Sequence, residues 1–180
     1  MMIMMIIKNL SSSFISLIFF YLFYYKMTQF DIDYKRGKES EIESLPDIQK
    51  IFGDDINFDP YQYAHFDYFS DTYMVELKTR DRVKYIDGQF HYTTRNGREM
   101  ILDSLYFDNP KRTFRLKQKK NGCKKNYWVI WKCNGEYFGW LMKEHGDEYY
   151  IEPQFRDCGH GYKQNRDVVN VKVEYIHKLS

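Results

Sequence analysis

The stretch Phe66-Asp67-Tyr68-Phe69-Ser70-Asp71-Thr72-Tyr73-Met74-Val75-Glu76-Leu77-Lys78-Thr79-Arg80 decides how this chain is read. Aromatic and β-branched residues on either side of Ser70-Asp71 suit two strands and a tight connection. With Asp71-Thr72 as a two-residue turn, Ser70 opposes Tyr73, Phe69 opposes Met74 and Asp67 opposes Glu76. Cross-strand partners share a sheet face with Cβ atoms ~4.5–5.5 Å apart. Lys78 joins that face by the strand period of two. Two carboxylates and one ammonium therefore fall on one patch. Asp71 is the rival acid but sits in the turn, and Asp81 just past the stretch is a weaker one.

Two carboxylates this close repel, which raises a pKa unless a cation lies between them. Mg²⁺ is commonly held by one or two carboxylates with several waters, and it polarises a phosphoryl oxygen and activates bound water. A neighbouring lysine orients that water and balances developing charge. The chemistry implied is metal-assisted phosphodiester hydrolysis. The competing reading is a surface hairpin whose Asp67, Glu76 and Lys78 make ordinary cross-strand ion pairs.

Outward from this stretch, Gly37 to Phe52 places Ile42, Leu45, Ile48 and Phe52 at helical spacing, with Pro46 expected to kink or split the helix and Gly53 to stop it. Gly97–Leu105 reads as a short helix. Asn121-Gly122 and Asn134-Gly135 each read as hairpin turns between Phe114 and Met142. Val169, Val171, Val173 and Tyr175 alternate with polar residues as a half-buried strand. The fold class expected is α+β (α/β), strand-rich and opened by one helix.

The three-part pattern resembles the PD-(D/E)XK nuclease superfamily. Asp67 followed by Glu76-x-Lys78 at the end of Tyr73-Met74-Val75 matches its two motif strands, with Phe66-Asp67 where the family writes Pro-Asp. Gly37-Lys38-Glu39-Ser40-Glu41 resembles the Gly-x-x-x-Glu that opens the first helix of resolvase-like members. Tyr127–Met142 is similar to the strand pair extending the sheet in nucleases predicted in large DNA viruses. The resemblance implies a restriction-endonuclease-like αβββαβ core with a mixed central sheet and additional C-terminal strands. It further implies a Mg²⁺-dependent DNA endonuclease that accepts Mn²⁺. Asp67, Glu76 and the Leu77 carbonyl would hold the metal, Glu41 would support it, and Lys78 would position the attacking water. The partner would be duplex or branched DNA, with room for a homodimer. The setting would be intracellular, in the cytoplasm or at a site of viral replication. The alternatives are a non-catalytic nucleic-acid-binding or structural relative of the same fold, and a membrane-anchored protein of unrelated role.

Arg80, Arg82 and Lys84 would extend the Lys78 face along a continuing strand and meet phosphates. Lys117, Lys119 and Lys120 belong to a basic run from Lys111 to Lys125 with no acid in it, and Arg95 and Arg98 flank Asn96-Gly97. Trp128, Trp131 and Trp140 read as core. Cys123, Cys133, Cys158 and His160 lack the spacing of common zinc modules, and His65 is at most a neighbour of the site.

Of 180 residues, 43% are hydrophobic and 19% aromatic, enough for one domain with a core and against a disordered chain. There are 27 Lys+Arg and 25 Asp+Glu, but residues 1–26 hold Lys8, Lys26 and no acid, so the remaining 154 residues balance 25 against 25. Any affinity for polyanions must then come from local patches. Three cysteines are too few for a disulfide scaffold. The apolar segment 1–26 reads as a mis-assigned start with Met27 the first residue, as a membrane anchor, or as a signal peptide. It is set aside from the domain, 27–180, and membrane association follows only if it is translated and retained.

Overall fold

Twelve strands and two α-helices make up the computed structural model, which describes residues 29–61, 64–157 and 163–180, without the side chains of 29–31, 33, 156, 157, 163 and 164. The chain divides into two compact units between Glu39 and Ser40. Of the first, the described part is the opening of helix α1, Gln29–Phe52, where Lys35 and Glu39 pair one turn apart. The rest of α1 and every other element belong to the second unit, Ser40–Ser180.

The helix runs through Pro46 as one element and is not split there. Proline removes the bond to the carbonyl four residues back. That carbonyl belongs to Ile42, which is 57% exposed, so water can take the lost bond. The buried line of α1 passes through Ser44 and Ile48. Ile42, expected on the apolar face, lies outside it. Gly53, at φ 111°, closes the helix with its N–H on the Gln49 carbonyl.

Six strands form the main sheet in the order β1-β2-β3-β8-β9-β12. They are β1 Asn57–Phe58, β2 Tyr68–Phe69, β3 Tyr73–Arg80, β8 Asn126–Cys133, β9 Glu136–Leu141 and β12 His177–Lys178. The expected turn holds: Phe69 pairs with Met74 and Tyr68 with Val75. β3 then pairs in parallel with β8, Glu76 beside Val129 and Lys78 beside Trp131, while the other pairs are antiparallel. The sheet is thus mixed. Asn134-Gly135 turns β8 into β9 with both residues at positive φ, as expected for a two-residue hairpin.

One face of this sheet packs with α1 through Ile48, Tyr68, Val75, Leu77, Ile130 and Tyr137. The other face, carrying Met74, Val129, Trp131, Phe138 and Trp140, meets two smaller sheets. The first is β4 Val83–Ile86, β5 Gln89–Thr93 and β6 Glu99–Leu102; the second is β10 Tyr149–Asp157, β11 Lys163–Lys172 and β7 Ser104–Asp108. Trp131 and Trp140 are core residues, as expected.

Three local expectations fail. Gly97–Leu105 is not a helix: Asn96-Gly97 makes a tight turn, and Met100 pairs with Tyr92 in a hairpin. Asn121-Gly122 is not a hairpin tip but the end of helix α2, Asn109–Lys120, where Gly122 at φ 87° donates to the Lys119 carbonyl. Asn-Gly supplies positive φ, which a helix C-terminus and a hairpin both use. The alternating strand stops at Lys172, and Val173–Tyr175 is a 3₁₀ turn. Among the described residues no helix is long and apolar enough to cross a membrane.

Candidate functional site

Every second residue of β3 from Met74 to Lys78 points into the face that holds Trp131 and Val129, so Glu76 and Lys78 occupy core positions of an internal strand. Glu76 is 1% exposed. Removing charge from water there costs several kcal/mol per ion unless partners replace the hydration. The partners are present. Lys78 Nζ lies 2.6 Å from Glu76 Oε1, and Lys111 Nζ lies 2.9 Å from Glu76 Oε2. These are not the ion pairs of a surface hairpin.

Asp67 ends the antiparallel ladder, its N–H donating to the Val75 carbonyl at 2.9 Å. Past that point β2 no longer faces β3, and the Asp67 carboxylate stands in for the missing strand by accepting the Leu77 N–H at 2.7 Å. Leu77 thus meets the site through its amide. Burial, then the charges of Glu76 and Glu41, push the Asp67 carboxyl well above the usual range, only partly countered by Lys78 and Lys111. The expected trio therefore assembles, with Glu41 acting on its Asp67 end. The Tyr68 hydroxyl fixes that helical turn by donating to the Glu41 carbonyl at 2.6 Å.

Burial drives the Lys78 ammonium toward the neutral form, but Glu76, Asp108 and Asp67 outweigh it and hold Lys78 above the ordinary lysine range. Asp108 bridges two cations, its Oδ2 3.5 Å from Lys78 Nζ and its Oδ1 2.9 Å from an Arg166 terminal nitrogen. The result is a row of alternating sign, Lys111–Glu76–Lys78–Asp108–Arg166, drawn from β3, α2 and its lead-in, and β11. Tyr127 closes one side; its hydroxyl is held well above its normal range by burial and by Glu76 and Asp67.

Sequence reasoning missed Asp108, Arg166 and the role of Lys111. One signal for Lys111 existed. Asp108-Asn109-Pro110 is a helix start, and a lysine in a first turn without acids works against the helix dipole. Arg166, 90 residues beyond Glu76 in the chain, carried no local signal.

The expected basic row does not form. β3 ends at Arg80, the chain turns, and Lys84 lies on β4 in another sheet, with Arg82 exposed in the turn. Arg80 turns inward, donating to the Tyr106 carbonyl at 3.0 Å with its guanidinium 4.6 Å over the Tyr106 ring. Arg95 and Arg98 are exposed at the β5–β6 turn. Lys117, Lys119 and Lys120 are exposed on α2, where Lys119 pairs with Glu144. His65 stacks on Phe114 at 3.9 Å. Asp71 is exposed in its turn, and Asp81 follows the end of β3. Cys133 is buried, its thiol pushed up to about 12 by that burial, while Cys158 and His160 lie outside the described residues.

Among the described residues no group of three or more His, Cys, Asp or Glu is arranged to hold a metal ion. Searches against protein-family models, curated proteins and solved structures find no match to this chain.

Proposed function

We propose that the protein is a metal-dependent DNA nuclease of PD-(D/E)XK type. The observation that carries this reading is Glu76 and Lys78 on the core face of an internal strand, where a stable fold would place apolar residues, with the buried Asp67 carboxylate against the same strand at the Leu77 N–H. The order of elements also supports it. Leaving aside the two smaller sheets, the chain runs α1, β1, β2, β3, α2, β8, with β8 parallel to β3.

The donor set fits a hard divalent cation such as Mg²⁺ or Mn²⁺. Asp67 and Glu76 are buried oxygen donors that repel one another, Glu41 adds to the repulsion, and a cation would relieve it. Asp67 and Glu76 would hold the ion, with Glu41 and the Leu77 carbonyl in support. Such an ion polarises phosphoryl oxygens and lowers the pKa of bound water. Lys78, kept as an ammonium, donates to the attacking water and offsets the negative charge that grows on the phosphoryl oxygens. Lys111 would hold a phosphate oxygen, and the exposed Lys117 and Lys120 of α2 would meet the backbone further along.

A second reading rests on Glu76, whose two oxygens each already face a lysine. That charge balance needs no metal, and it suits a relative that binds nucleic acid without cutting it. Labelled duplex, single-stranded and four-way-junction DNA, incubated with Mg²⁺, Mn²⁺ or chelator beside Lys78→Ala, separates the two. Metal-dependent cleavage lost in the variant supports the nuclease. Salt-sensitive binding with no cleavage under any of these conditions overturns it in favour of the second reading.

A further inference from the structure

Asp108 occupies the N-cap of α2 with extended backbone dihedrals (φ −73°, ψ 126°), yet its side chain makes no capping hydrogen bond. Aspartate there ordinarily accepts an N–H from the first turn. Here both carboxylate oxygens point elsewhere, Oδ1 to Arg166 at 2.9 Å and Oδ2 to Lys78 at 3.5 Å. The helix start forgoes its usual cap, and the carboxylate serves two cations from two sheets.

We propose that Asp108, braced by Arg166, is a positioning residue that fixes the ammonium of Lys78 over the site. Glu76 alone grips Lys78 from one side, and a four-carbon stem with one contact keeps much of its rotational freedom. Asp108 supplies the second contact from a different element. Arg166 makes that contact rigid: it reaches from β11, which pairs with β7 up to Asp108 itself. One terminal nitrogen of its guanidinium lies 2.9 Å from Oδ1, which leaves Oδ2 on the Lys78 side. Arg166 acts on Asp108, and Asp108 acts on Lys78; neither is a catalytic residue. The inference rests on the nuclease reading for its effect on rate, but its geometric content stands apart from it.

The discriminating variant is Asp108→Ser. Serine is a good N-cap and can take up the first-turn N–H that aspartate neglects, so the helix keeps its start while Lys78 loses its second contact. With wild type that cleaves DNA, kcat should fall about 10–100-fold, the scale of a misplacement near 1 Å. KM should stay close to wild type, the midpoint of thermal unfolding should fall no further than in Asp108→Asn, which loses the same ion pairs, and Arg166→Gln should give a smaller fall in kcat. A kcat within about twofold of wild type overturns the proposal. So does a fall in kcat matched by a fall in thermal stability that Asp108→Asn, a cap without a charge, repeats in stability but not in rate.

A second readout does not depend on cleavage. The Lys78 ammonium should give its own ¹H–¹⁵N signal, slowed in exchange by two carboxylate contacts, assigned by its loss in Lys78→Arg. Broadening of that signal in Asp108→Ser supports the positioning role even if the wild-type protein cuts nothing and the nuclease reading falls. An unchanged signal overturns it.

Discussion

Glu76→Ala is the substitution on which the description of the site depends most. Glu76 is 1% exposed and is the shared partner of Lys78 at 2.6 Å and Lys111 at 2.9 Å. Deleting the carboxylate leaves the mostly buried Lys78 and Lys111 ammonium groups without their shared partner, with Val129 on the neighbouring strand. Breaking a buried pair by removing one partner costs about 3–5 kcal/mol. A protein of this size loses roughly 2–4 °C of melting temperature per kcal/mol. The expected drop is therefore on the order of 6–20 °C, read by calorimetry and checked by urea unfolding with chelator present. Lys111→Met in the same background should recover part of it, because one uncompensated cation is gone; a coupling of about 0.5–3 kcal/mol is expected for residues in contact. A loss below about 1 kcal/mol, the size of a solvent-exposed pair, would refute the buried network.

Asp67→Asn should act in the opposite direction. The amide oxygen still accepts the Leu77 N–H, while the repulsion from Glu76 and Glu41 disappears; the melting temperature in chelator should rise, and a fall would show that the carboxylate is favourably bound. Asp108 gives the pH test. Burial pushes its carboxyl upward, but Lys78 and Arg166 outweigh burial and leave it below its ordinary value of 3.8. A carboxyl with a depressed folded pKa contributes stability that is complete above its unfolded value and is lost as pH falls through the folded one. The difference in urea stability between wild type and Asp108→Asn should thus hold steady from about pH 7 to 5 and close below about pH 4; a gap that persists at about pH 2 would contradict the ion pairs.

The core of the site was legible because it is local. Asp67, Glu76 and Lys78 lie within twelve residues, and a single turn assignment aligned them. The turn itself was readable from strand-like residues on both sides of Ser70-Asp71. What the sequence left open was burial: the same charges suit a solvated hairpin until β3 is known to be an internal strand with the smaller sheets packed on this face. The basic helix was misread for a physical reason. Residues 109–120 carry few apolar side chains, so helical periodicity has little to act on, and Asn121-Gly122 serves a helix end as readily as a hairpin. Asp108 and Arg166 were out of reach because their meeting depends on β11 pairing with β7 across some sixty residues of chain, which no short-range signal encodes.

The parallel pairing of β3 with β8 also bears on how the protein reaches its folded state. Each partner in that ladder lies 53 residues from the other, as Tyr73 does from Asn126. A hairpin such as β8–β9 closes over two residues and forms in microseconds, whereas a parallel contact must first draw in the whole intervening chain. Until it does, Glu76 and Lys78 sit on an exposed edge, fully hydrated and without penalty. Their desolvation is complete only when β8 has paired and the smaller sheets have closed over that face, set against the burial of Trp131 and Val129. Charge at this site should therefore slow the closing of the sheet, and apolar replacements at 76 and 78 together should speed refolding while ending any chemistry.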